Sequence, residues 1–163
     1  EDGKVDRYNI GQQEKIVKII CKYRPDIILL PYTNTDHPDH IESKALFERA
    51  IYKAGISNEL TSFKGCYVNN IYYYLMEKIC EPNILIDISS LFETKIKMIM
   101  EYRDQFCYDK EKQKTYLNTS QLNNLKRMNA FWGSKLNVEY AEAFIIKSAI
   151  VVNDLFDLYM QPL

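Results

Sequence analysis

Asp26-Ile27-Ile28-Leu29-Leu30-Pro31-Tyr32, followed after four residues by His37-Pro38-Asp39-His40, is the stretch on which the fold turns. A continuous β-branched and apolar run behind a helical segment predicts a strand buried on both faces, as in a parallel sheet. The histidine motif then opens a helix. Pro38 suits the first helical position, where its missing N–H would have no partner anyway. Asp39 in the first turn is favoured by the helix dipole. In open α/β sheets ligands bind beyond the carboxyl ends of the strands, and this is where the motif falls. An ordinary helix start could also read His-Pro-Asp-His. The two histidines of the whole chain both lie here, however, which favours a site.

Outward from this stretch, helix and apolar strand alternate. A helix is expected from about Gln12 to Tyr23, capped by Asn9 and stopped by Pro25, with Ile16, Val17, Ile19, Ile20 and Tyr23 along one side. The motif helix runs to about Ala54, carries Ile41, Ala45, Leu46, Ile51 and Ala54, and ends at Gly55. Ile71–Met76 and Ile84–Ile88 read as strands. Ser90 and Glu93 form a capping box for a helix turning Leu91, Ile96, Ile99 and Phe106 inward. A further helix spans Ser120–Leu136 with Leu122, Leu125, Met128 and Trp132. Tyr140–Ile146 and Ile150–Val152 close the chain as short strands before an amphipathic tail. The pattern is α/β: a Rossmann-like three-layer sandwich with a mainly parallel sheet.

Composition sets the bounds. The chain has 163 residues, enough for one domain with a real core. A net charge of -1 offers no electrostatic footprint for nucleic acid or an anionic membrane surface. No apolar run reaches membrane-spanning length and no signal peptide opens the chain. Cys21, Cys66, Cys80 and Cys107 lack metal or redox spacing and read as reduced thiols of a cytoplasmic protein. Tyr72-Tyr73-Tyr74 reads as a strand of aromatic β-formers rather than a carbohydrate-stacking platform. The charged run Asp109–Lys114 reads as a solvated loop.

Two imidazoles bracketing Pro38-Asp39 suit metal-assisted hydrolysis. Zinc takes neutral imidazole nitrogen, and a catalytic site has three protein ligands with an open position for water. Bound water then ionises near neutral pH. One histidine can bind the metal while the other moves a proton or stabilises an oxyanion.

With these landmarks the sequence resembles the zinc-dependent N-deacetylases of the PIG-L/LmbE superfamily, and within it the bacillithiol-biosynthesis deacetylases, which act on N-acetylglucosaminyl-malate. The resemblance rests on Tyr23-Arg24-Pro25-Asp26 with its strand, His37-Pro38-Asp39-His40 and Tyr72-Tyr73-Tyr74. It continues through Pro82-Asn83, Ile86-Asp87-Ile88-Ser89, Gln105-Phe106 and Tyr140-Ala141-Glu142-Ala143-Phe144, in order along nearly the whole chain.

The resemblance implies a Zn2+ cofactor with His40 as a ligand. His37 would stabilise the tetrahedral intermediate or protonate the leaving amine, and Asp39 would be its orienting carboxylate. Glu142 is a candidate for a supporting role near the metal or a purely structural one, and Asp36 for a supporting role or a loop turn. The family's other two zinc ligands and its general base come from an Ala-His-Pro-Asp-Asp motif absent here. The expectation is therefore that residues 1–163 form the C-terminal two-thirds of one deacetylase domain, with opening strands before residue 1, and that the fragment alone is inactive and either poorly soluble or in need of a partner. Asp36 stands where the nearest relatives carry Arg, and Ala143 where they carry Gly. The implied partner is a small N-acetylglucosamine conjugate, with no nucleic acid or membrane. Homo-oligomers are common in the family, and nothing here fixes a symmetry. Two alternatives stay open: a catalytically silent remnant or partner-binding fragment, and a deacetylase of another N-acetylated glycan or lipid-linked sugar.

Overall fold

In the computed structural model, residues 3–32, 37–56, 65–75, 80–102 and 119–158 are described. The elements run α1 (Ile10–Tyr23), β1 (Ile27–Pro31), α2 (Pro38–Gly55), β2 (Asn70–Tyr74), β3 (Ile84–Asp87), α3 (Phe92–Met100), α4 (Thr119–Leu136) and β4 (Ala141–Ile146). Single 3-10 turns occupy Ser89–Leu91 and Leu155–Leu158. The strands form one four-stranded sheet in the order β1-β2-β4-β3. The expected α/β class stands, but the sheet is mixed rather than mainly parallel. β1 and β2 are parallel, Ile27 opposite Asn70 and Pro31 opposite Tyr74. β4 runs antiparallel to β2, with Tyr72 opposite Ile146 and Tyr74 opposite Phe144.

The chain divides into two compact units, Glu1–Asn83 with Phe144–Tyr159, and Ile84–Ala143 with Met160–Leu163. In the first unit, α1 starts where expected: the Asn9 side chain accepts from Gln12 N. It ends at Arg24, whose left-handed backbone (φ 46°) returns its N–H to Ile20 O, and Pro25 blocks continuation. Val17, Ile20 and Cys21 of α1, Ala50, Ile51 and Ala54 of α2, Leu30, Tyr73 and Cys66 form one core. Ile19 and Tyr23 were expected on that buried side of α1, but both are exposed. The buried stripe runs through Gln13, Val17, Ile20 and Cys21 instead, the i, i+4, i+7, i+8 positions of a single face.

β1 departs from its sequence reading in an instructive way. Leu30 is 2% exposed, whereas Ile27 and Leu29 are 53% and 56% exposed. The strand is buried on one face, not both, because side chains alternate across it and α1 and α2 supply the cover for Leu30. β1 is also the outer strand of the sheet among the described residues.

In the second unit the expected capping box does not form. The 3-10 turn at Ser89–Leu91 carries the chain into α3, which has no side-chain cap at its start. Asp87 captures Ser89 instead, accepting from both its N and its Oγ. Phe92, rather than Leu91, is the buried residue there; it stacks on Tyr140 with ring centroids 3.6 Å apart. α4 ends at Leu136, followed by Asn137 in the left-handed region. Gly133 is required by close approach: a Cβ there would lie 2.7 Å from the Glu139 carbonyl oxygen. Back in the first unit, Ile150–Val152 is not a strand, and Val151 is 91% exposed. The expected inward position of Phe106 lies outside the described residues. No described helix is long and apolar enough to cross a membrane.

Candidate active site

The site is built on the first turn of α2. Extended backbone at His37 (φ -78°, ψ 120°) makes it the N-cap, and Pro38 follows as predicted. His37 caps with its ring: Nδ1 accepts from Asp39 N at 3.2 Å. An imidazole accepting through Nδ1 carries its proton, in the neutral form, on Nε2. His40 lies one turn on, its ring stacked on that of His37 with centroids 4.6 Å apart and planes 26° from parallel. Its N–H donates to His37 O. The structure thus brings His37, Asp39 and His40 together on one helix start.

A link between Asp39 and His37 runs through the Asp39 main-chain N–H, while Oδ2 accepts from Gly3 N at 2.6 Å. Asp36 lies outside the described residues. Glu142 belongs to the second unit, where Lys95 Nζ donates both to its carboxylate and to Asn129 Oδ1. Asn129 is 2% exposed, so the lysine bridges two acceptors in a sheltered place.

The donor chemistry suits zinc, but the number of donors does not. Among the described residues no group of three His, Cys, Asp or Glu converges on a point where a metal could sit. A catalytic zinc takes three protein ligands, so the described residues do not by themselves make a catalytic zinc site.

A polar cluster missed in sequence occupies the same face of α2. Lys44 and Glu48 follow His40 at successive i+4 steps, which stacks them along one side of the helix. Glu48 Oε1 accepts from Tyr73 Oη at 2.7 Å and from Lys147 Nζ at 2.9 Å, with Lys44 Nζ at 4.0 Å. Lys44 also lies over the rings of Tyr32 and Tyr73, 5.7 and 5.5 Å from their centroids. Burial, then the bond to Glu48, pushes the Tyr73 phenol up to about 12. Burial opposes ionisation of Glu48, yet the bonds from Tyr73 and Lys147 leave its pKa lowered. Burial lowers Lys44. The middle tyrosine of the aromatic run is therefore a core residue with a wired hydroxyl. The i, i+4, i+8 spacing of His40, Lys44 and Glu48 was the signal that could have found the cluster.

The N-terminal segment packs across the start of α2. Arg7 Nε donates to both oxygens of Glu42 (3.0 and 2.9 Å), Nη2 to Oε1 (2.6 Å), and Arg7 N to Oε2 (3.1 Å). These bonds hold the Glu42 carboxyl down at about 2.

No protein-family profile matches the sequence. The chain is 28% identical over 144 residues to a diacetylchitobiose deacetylase of Thermococcus kodakarensis, covering 83% of this chain and 50% of that protein. Among solved structures it is similar to conserved protein TT1542 from Thermus thermophilus, with a TM-score of 0.81, 23% identity, and coverage of 93% of this chain and 64% of that one. It is also similar to N,N'-diacetylchitobiose deacetylase from Pyrococcus horikoshii, solved with an inhibitor. That match has a TM-score of 0.65, 25% identity, and coverage of 81% and 49%. The chain thus spans about half the length of the curated relative it matches. The chain is thus similar in sequence and in fold to diacetylchitobiose deacetylases.

Proposed function

We propose that this chain is part of a carbohydrate N-deacetylase that hydrolyses the acetamide of an N-acetylglucosamine conjugate, with the N-acetylglucosaminyl-malate of bacillithiol biosynthesis as the first substrate to test. The observation that carries the reading is the stacked pair His37 and His40 on the first turn of α2, beyond the end of β1, in a chain similar to deacetylases of acetylated amino sugars. His40 is proposed as a ligand to zinc, the other ligands and the general base coming from residues outside the described set. Zinc would supply a water acidic enough to attack at neutral pH. The described residues do not complete its sphere.

The cap geometry sharpens the part given to His37. With Nδ1 accepting from Asp39 N, the neutral ring presents an Nε2–H donor. Such a donor can stabilise the oxygen of a tetrahedral intermediate. Acting as a general acid would require a proton on Nδ1 as well, and hence loss of the cap. The geometry therefore favours oxyanion donation over proton delivery to the amine.

The test uses the complete protein, with metal content and amine release measured together. His40→Ala should lose metal. His37→Ala should keep metal and lose turnover by about 100-fold or more, the scale of a lost oxyanion donor. His37→Asn separates capping from chemistry, since Asn is a good N-cap with no donor at the Nε2 position. It should stay folded and inactive, and an active Asn variant would reduce His37 to a cap. Residues 1–163 alone should bind zinc weakly and release no amine. Tight stoichiometric zinc in that fragment would show that its own residues complete the sphere.

A further inference from the structure

We infer that residues 3–9 form a clasp that positions the first turn of α2, with Arg7 as its positioning residue, and that this clasp sets the placement of His37 and His40. The inference rests on the deacetylase reading only for its kinetic consequence; the clasp itself stands on geometry.

The segment is held from both neighbouring helices. From α1, Gln12 Nε2 donates to Lys4 O at 2.8 Å, and Gln12 Oε1 accepts from Asp6 N at 3.2 Å. Gln13, 3% exposed, directs its amide nitrogen to Arg7 O. A buried amide is tolerated only when bonded, so Gln13 is committed to this segment. From α2, Asp39 takes Gly3 N, Glu42 takes the Arg7 fork, and the Arg49 guanidinium lies 4.7 Å from the Tyr8 ring centroid.

Helical geometry shows why this bears on the histidines. At about 100° per residue, Asp39 and Glu42 lie within roughly 60° of each other around the axis, while His37 and His40 lie about 100–160° away from Asp39. The clasp grips one side of the helix start and leaves the imidazoles on another. The first turn is where a helix frays, because its N–H groups lack intrahelical partners. A bidentate guanidinium–carboxylate pair fixes direction as well as distance, which a lysine cannot reproduce. Misplacing reacting groups by about 1 Å can cost on the order of 100-fold in rate.

The experiment compares wild type with Arg7→Met, Arg7→Lys and Glu42→Gln in the complete protein, reading amide hydrogen exchange along α2 and kcat and KM for amine release. Arg7→Met and Glu42→Gln should speed exchange at residues 39–42 by about tenfold or more and leave Ala50–Ala54 unchanged. They should lower kcat about tenfold with little change in KM. Arg7→Lys should restore neither. The inference is overturned if exchange in the first turn is unchanged, if it rises equally along all of α2, if kcat holds while the first turn loosens, or if Arg7→Lys behaves as wild type. Should Arg7→Met fail to fold, Arg7→Lys and Glu42→Gln decide the matter by the same readouts. A wild-type protein that releases no amine from any acetylated amino sugar would sink the deacetylase reading, while the exchange pattern would still decide the clasp.

Discussion

Glu42 shows how a single side chain can report on the integrity of a site it does not belong to. Its carboxyl is held down at about 2 by hydrogen bonds from Arg7, and Arg7 is raised in turn by the same bonds. A folded-state pKa below the unfolded value means stability that is complete above the ordinary glutamate range and lost as pH falls through about 2. The thermal midpoint should therefore drop between about pH 5 and about 2, and Glu42→Gln should flatten that part of the profile. An unchanged profile in the variant would mean that Arg7 and Glu42 are not paired in solution. Cys21, a free and buried thiol, sits at the opposite extreme: burial and its contact with Cys66 push it up to about 11. At this scale the sequence showed the histidines, because they are rare and adjacent. It did not show Arg7, Lys44 or Glu48, whose residue types are common on surfaces and whose partners are remote in sequence.

Individual elements were legible wherever the signal was local. The Asn9 cap, the Pro25 stop, Pro38 at the first helical position and the length of α2 are all decided within a few residues, and the structure reproduces them. What failed depended on neighbours that a sequence does not list in order. β1 looked buried on both faces because its composition is uniformly apolar, but only tertiary cover decides which face is wet. This gives a sharp test by urea or thermal unfolding. Leu30→Ala should cost about 2–5 kcal/mol as a core truncation, whereas Leu29→Ala should stay within about 0.5 kcal/mol as a surface change. Equal costs would mean that both faces are covered in solution. The box at Ser90 and Glu93 failed for a related reason. Ser90 lies inside the 3-10 turn Ser89–Leu91 through which the chain enters α3, a register the box did not anticipate, and Asp87 holds the neighbouring Ser89. Ile150–Val152 has strand composition, yet the described backbone there is not in a strand.

For the molecule as a whole, the first unit is assembled from two distant pieces of chain. β4 lends it Phe144–Ile146 beside β2, and Lys147 reaches Glu48 across 99 residues. Cutting the chain after Asn83 removes these partners. The truncated product should melt without a cooperative transition by circular dichroism, and a sharp one would show that α1, α2, β1 and β2 suffice. The strand order carries a consequence for synthesis as well. As the chain leaves the ribosome, β2 emerges with one edge matched by β1 and the other waiting for a strand encoded much later. Pairings this remote are slow to form and exposed while they wait. The nascent protein therefore passes through a stage in which Tyr72 and Tyr74 line an open edge, and its yield in cells should depend on chaperone supply at that stage more than on the stability of the finished fold.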